Sequence, residues 1–184
     1  MIEVAKVSKW YGPFQVLTDC TTKVEKGEVM EGISLLRTAG LTAYRATGAK
    51  ARLTFYLSLL ARAYEIDGQV GEGVTVIDEA LLIAEETGER WVEAELNRHK
   101  GQLLFHQGQR ETAEEFYRKA IAIAQEQEAK LWELRAAVSL ARLWRDQGKR
   151  AEARDLLAPV YDWFTEGFDT ADLNEAKALL DELA

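Results

Sequence analysis

The chain has 184 residues, 47% hydrophobic and 29% charged, a balance that fits one folded domain with at most a small appendage and argues against wholesale disorder. Its formal charge of −8 is a poor footing for nucleic-acid binding, which needs a basic face. One cysteine, Cys20, rules out an internal disulfide, no apolar run approaches the ~18 residues of a membrane span, and the N-terminus lacks signal-peptide features, so we expect a cytoplasmic protein with no nucleic-acid partner and no membrane insertion.

Residues 1–28 read as an N-terminal extension. Met1 to Val7 alternate apolar and polar side chains, Tyr11-Gly12-Pro13 marks a turn, and Val16 to Val24 is rich in threonine and β-branched residues. A short β-hairpin is the expectation. A two-stranded hairpin alone is marginal in water, so the extension must fold over a neighbouring face, stay mobile, or leave that face to self-association.

From residue 29 onward the pattern is helical and repeats. Gly27, Gly68, Gly108 and Gly148 each open a short turn, at spacings of 41, 40 and 40 residues. Helical patterns end near Ile66, His106 and Asp146 before three of these turns, and a further helix follows each. Gly48 and Gly88 form a second class, closing the helix after the turn. The unit is helix A, glycine turn, helix B and a short link. Small residues sit where helices must approach closely, as at Ala61, Gly73, Ala80, Gly101, Ala113, Ala120, Ala141 and Ala153. Large ones fill the gaps, as at Tyr64, Ile77, Leu104, Tyr117, Trp144 and Leu157. Helix B at about 29–46 lacks a helical partner, leaving the face of Val29, Ile33 and Leu36 in need of cover. Gly167 ends the last helix B, and Asp169 or Thr170 caps a short amphipathic helix over 171–183. Leu173, Ala176, Leu180 and Leu183 line one side of it, and Trp163 and Phe164 are expected to help it pack. The fold class is all-α: a right-handed superhelix of antiparallel helix pairs over 29–184, with a C-terminal capping helix and a β-like N-terminal extension. The five tryptophans read as packing residues between helices.

This spacing resembles the tetratricopeptide repeat (TPR), with units of about 40 residues rather than the usual ~34. The strings at Leu41–Gly48, Glu85–Arg90 and Leu134–Asp169 resemble the C-terminal TPR region of bacterial ATPases that carry an adenylate cyclase domain. That resemblance implies a sensory or docking module, with catalysis elsewhere. The extension, IEVAKVSKWYGPFQVLTDCTTKVEKGEV, resembles the start of ATP-binding cassette ATPases of polar amino-acid transporters. In that family the aromatic matching Tyr11 stacks on adenine and a phosphate-binding loop follows. Here Met30-Glu31-Gly32-Ile33 follows, and no GxxxxGK[ST] occurs, so ATP binding is not carried over.

No motif carries catalysis, and no cofactor is expected. Glu95, His99 and His106 share one helical stripe, but three ligands on one helix without HExxH make a poor metal set, and we expect no metal site. Cys20 has no histidine partner or CxxC context. The repeat offsets instead place Phe55, Ser58, Arg62 and Glu65 on the concave face. Arg98, Gln102, Phe105 and His106 continue it, followed by Arg135, Ser139, Arg142 and Arg145. Five arginines on one side of an acidic chain suit carboxylates, so a groove for a protein or acidic peptide is one reading. The other is that they pair with neighbouring acids, as Arg142 would with Asp146. The pattern lacks the carboxylate-clamp residues of chaperone-binding TPRs. The leading function is a non-catalytic protein–protein interaction module. The alternatives are a truncated transporter-ATPase-like fusion or a recombined gene fragment.

Overall fold

The computed structural model describes residues 2–11, 13–24 and 29–184. Gly12 of the first turn, and the turn at Gly27, lie outside the described residues. Strand β1 (Ile2–Tyr11) pairs antiparallel with β2 (Phe14–Val24), from Ile2 opposite Val24 to Tyr11 opposite Phe14. Register irregularities between Val4 and Lys9 coincide with left-handed backbone at Lys6 (φ 49°) and Asp19 (φ 46°).

Helices follow. α1 (Val29–Ser34) runs through a π-helical stretch, Leu35–Leu41, into α2 (Thr42–Ala46). Then come α3 (Leu53–Ile66), α4 (Val70–Thr87), α5 (Glu93–His106), α6 (Arg110–Glu126), α7 (Lys130–Asp146), α8 (Arg150–Asp162) and α9 (Ala171–Glu182). The π-helical stretch explains why the first glycine spacing is one residue longer than the others. An i→i+5 turn takes in one extra residue without rotating the apolar face away from its neighbour. Ile33 and Leu41 stay buried in one cluster with Leu53 and Leu57 of α3, and Leu36 packs against it. Of the face expected to lack cover, Ile33 and Leu36 are therefore covered by α3, and the Val29 side chain lies outside the described residues. Met30 and Leu35 remain exposed, at 60% and 44%.

Three turns are near copies. The glycine N–H bonds the carbonyl three residues back (Gly68 to Glu65, Gly108 to Phe105, Gly148 to Arg145), and the next residue's N–H bonds the carbonyl five back (Gln69 to Tyr64, Gln109 to Leu104, Lys149 to Trp144). Each glycine has φ near +80°, which a Cβ would oppose. The second glycine class has a third place at residue 128, where Glu128 takes φ +53° in the position of Gly48 and Gly88. A non-glycine residue there costs roughly 1–2 kcal/mol.

Helices A (α3, α5, α7) and B (α4, α6, α8) stack in order, and α9 follows α7 as the next A-like layer. Leu173, Ala176 and Leu179 of α9 are buried, as are Leu134, Ala137 and Leu140 of α7, 39 residues earlier. Leu180 then falls where α7 has Ala141 and α5 has Gly101. Leu180 is half-buried against the core, and Asn174, Lys177 and Asp181 are exposed and polar. α9 packs its apolar side onto α7 and α8. Small and large positions from the repeat offsets, including Ala61, Ile77, Ala113, Ala120, Ala141, Ala153 and Leu157, are 0–1% exposed.

The tryptophans divide. Trp144 is buried, but Trp10, Trp91 and Trp163 are exposed, which corrects the expectation that all five pack between helices. Trp163 lies just past the end of α8, and its ring meets Phe164 edge-on at 5.2 Å; only Phe164 packs on the core. Among the described residues, no helix is long and apolar enough to cross a membrane.

Candidate functional site

The A helices line the concave face, and two adjoining hollows open on it. The larger, about 350 Å3, takes Arg62 and Glu65 from α3, Arg98 and Gln102 from α5, and Arg135, Ser139 and Arg142 from α7. The smaller, about 150 Å3, shares Gln102, Ser139 and Arg142 and adds Phe105, His106 and Arg145. All eight candidate groove residues thus lie along one surface. Phe55 and Ser58 do not: Phe55 meets Trp91 at 5.6 Å, and Ser58 is 5% exposed with its hydroxyl donating to the Phe55 carbonyl.

At the floor lies a buried carboxylate whose structural part the motif search missed. Glu95 is 6% exposed. Arg98 donates to it side-on, Nε to Oε2 at 2.8 Å and Nη2 to Oε1 at 2.9 Å. His99 Nε2 lies 3.2 Å from Oε1, and Arg135 Nη1 lies 3.7 Å from the same oxygen. The third arm of Arg98 donates to Gln102 Oε1 at 2.9 Å and reaches Ser139 Oγ on α7 at 3.4 Å. Burial, the largest influence on the Glu95 carboxyl, works to raise its pKa. The hydrogen bonds from Arg98 and His99 and the Arg98 charge outweigh it and hold the pKa at about 2. Burial likewise works to lower the Arg98 pKa, and Glu95 overrides it, raising that pKa above its ordinary value. Tyr117 is pushed up to about 12 by burial, with Arg98 opposing.

The other arginines are more open. Arg135 holds Asp172 of α9, Nε to Oδ1 at 2.7 Å and Nη2 to Oδ2 at 2.8 Å, and that bond raises its pKa. Arg142 pairs with Glu175 of α9, not with Asp146 as the helical spacing implied; Asp146 pairs with Arg145. The Arg142 and Glu175 side chains are 48% and 43% exposed, so their pair contributes about 0–1 kcal/mol. His106 Nδ1 stands 3.5 Å from Glu65 Oε1, and its ring lies beside Phe105. Arg62 is exposed, and among the described residues it makes no ion pair.

The acidic partners Asp172, Glu175 and Glu182 also lay beyond the sequence reading. The 39-residue offset of α9 from α7 is the signal that brings them to this face. Glu95 and His99 stand out in the sequence only as members of one helical stripe, and both are buried. Among the described residues, no three His, Cys, Asp or Glu side chains gather as a metal set, and Glu95 is spent on guanidinium groups.

An array of antiparallel helix pairs, closed glycine turns and a side-chain-lined concave face defines a helical-repeat scaffold. A tetratricopeptide repeat family profile matches residues 52–126 and 92–165, more than half of the chain. The chain belongs to the tetratricopeptide repeat family. Its fold is similar to the kinesin light chain TPR-like repeats of Podosopora anserina (TM-score 0.66, 22% identity, 85% of this chain and 77% of that one). It is also similar to BtubC (BKLC) from P. vanneervenii (0.66, 20%, 86% and 72%). A third likeness is to PH0952 from Pyrococcus horikoshii, a signal transduction ATPase with numerous domains and a tetratricopeptide repeat sensor (0.69, 16%, 86% and 24%). A 30-residue stretch is 70% identical to the glutamate/aspartate import ATP-binding protein GltL of Escherichia coli, in strain K12 and in O157:H7. That stretch is 16% of this chain, which spans 12% of the length of those curated relatives.

Proposed function

We propose that this TPR scaffold binds an acidic peptide segment of a partner protein along the concave face, by contact with preformed side chains rather than by catalysis. The observation that carries the reading is the set of guanidinium groups that α3 and α7 present around one hollow, with Arg62 unpaired among the described residues. Guanidinium forks grip carboxylates with two parallel hydrogen bonds, and Gln102, Phe105 and His106 extend the surface beside them. Rigid helices hold these groups in place, so little ordering entropy is lost on binding. Arg98 serves as scaffold here, because its donors are already spent on Glu95, Gln102 and Ser139. Reversing its charge would test folding, not binding.

Arg62 and Arg142 are therefore the residues to change. Fluorescein-labelled hexaglutamate, followed by fluorescence anisotropy, reports the binding. Arg62→Ala combined with Arg142→Ala is expected to weaken it about ten-fold, at roughly 0.7 kcal/mol per exposed charge. An affinity equal to that of the unaltered protein removes the acidic-peptide reading.

The likeness to a signal transduction ATPase with a tetratricopeptide repeat sensor supports a sensory role for this chain. The adenylate cyclase context rests on the resemblance at Leu41–Gly48, Glu85–Arg90 and Leu134–Asp169. The transporter-ATPase reading is not favoured, because its match is short and the phosphate-binding loop is not in the sequence. A second reading concerns self-association: Met30 and Leu35 are exposed apolar side chains at the N-terminal end, opposite α9. Sedimentation velocity should then show a concentration-dependent dimer that Met30→Glu with Leu35→Glu converts to monomer. A single monomeric species in the unaltered protein would sink this reading.

A further inference from the structure

Three arginines of α7 face carboxylates of the chain's own last helix. Arg135 grips Asp172 with two hydrogen bonds, Arg142 pairs with Glu175, and Arg145 Nη1 meets Glu182 Oε2 at 2.5 Å. α9 thus lays a row of acids against a row of guanidinium groups, the same chemistry an acidic peptide would bring. The larger hollow is lined by four arginines and four carboxylates, and two of those carboxylates come from α9. Its charge is balanced until one of them moves.

We propose that α9 regulates the concave site as a counter-ion in cis: Asp172 and Glu175 occupy Arg135 and Arg142 and lower the site's affinity for external carboxylates. This rests on the acidic-peptide reading above. The exchange takes place between side chains, because the helix itself is anchored by Leu173, Ala176, Leu179 and Leu183, each no more than 5% exposed. Exposure sets the order in which the arginines engage. Arg62 has no ion-pair partner to displace among the described residues. Arg142 shares a nearly half-exposed pair and exchanges next. Arg135, at 32% exposure and doubly bonded to an Asp172 that is 26% exposed, exchanges last. Arg98, its side chain 13% exposed against 8% for the Glu95 side chain, does not exchange.

The test is hexaglutamate anisotropy with Asp172→Asn combined with Glu175→Gln. Freed of their partners, Arg135 and Arg142 should bind the peptide about five-fold more tightly. Glu111→Gln with Glu115→Gln, two exposed acids on α6, makes the same change in net charge away from the hollow and should leave the affinity within about two-fold. Asp172 sits in the first turn of α9, so Glu175→Gln alone is the second variant, altering only an exposed pair. Melting curves confirm that each variant is folded. Unchanged or weaker binding in the folded Asp172/Glu175 variant overturns the inference, as does equal tightening in the α6 control. In both cases, weakening by Arg62→Ala with Arg142→Ala still upholds the acidic-peptide reading. If neither the unaltered protein nor the Asp172/Glu175 variant binds hexaglutamate, both fall together.

Discussion

Replacing Glu95 by glutamine is expected to cost the fold about 3–5 kcal/mol at pH 7, because it leaves the Arg98 guanidinium buried without its counter-charge. The amide that replaces the carboxylate can still accept a hydrogen bond, but it offers one oxygen where the carboxylate offers two. The same change should alter the acid response. Glu95 has a folded pKa of about 2 against an ordinary 4.5, so its contribution is complete above about pH 5 and is lost as the pH falls toward 2. In that window the unfolded chain takes up a proton that the native carboxylate refuses. At pH 3 roughly 2 kcal/mol should already be gone. Urea titrations of both proteins at pH 7, 5 and 3 measure this directly. The stability gap between them should hold from pH 7 to 5 and then narrow by about 2 kcal/mol at pH 3. A gap that stays constant would show that Glu95 is not the charged centre of this network.

The contrast between Glu95 and the repeat skeleton shows what a single sequence makes legible. The glycine period and the small–large offsets are local signals, and they located the ends of α3, α5 and α7 at Ile66, His106 and Asp146. The π-helical stretch was visible only as a spacing of 41 instead of 40. The site's electrostatics are not local. Glu95, Arg98 and Gln102 stand three and four residues apart, the pattern of a solvated helix face. What buries Glu95 is the arrival of α7, whose Arg135 and Ser139 lie about 40 residues further along. Arg142 has Asp146 one turn away, but α9 brings Glu175 to it instead. Pair choice in such a row depends on which helix docks alongside, and spacing within one helix does not encode that. Glu128 is a smaller case of the same kind: the position repeats, but the glycine that would announce it is missing.

Gly101→Ala should lower stability by about 1–3 kcal/mol, although alanine is the better helix former by roughly 1 kcal/mol. A Cβ at Gly101 would stand 2.7 and 2.8 Å from two ring carbons of Tyr117 and 3.1 Å from the Ala113 carbonyl oxygen. Tyr117 is 4% exposed and packed in the core, so its ring has little room to turn away, and the carbonyl belongs to the backbone of α6. The whole of α6 must therefore retreat from α5, loosening the interface that also seats Arg98. Gly73, the small residue that α4 turns toward α3 and α5, serves as the comparison. A Cβ there would meet the end of the Leu103 side chain at 3.0 Å and the Ala61 carbonyl at 3.4 Å. A leucine tip can shift by a few tenths of an ångström, so Gly73→Ala should stay within about 1 kcal/mol of the unaltered protein in either direction. Thermal melts of the two variants decide the matter. Gly101→Ala should melt several degrees lower and Gly73→Ala should not, at about 2–4 °C per kcal/mol for a chain of this size. Adding Tyr117→Leu to Gly101→Ala should cost less than the sum of the two single changes, because the leucine removes the ring that the new methyl strikes. Simple additivity would place the cause of the loss somewhere other than this contact.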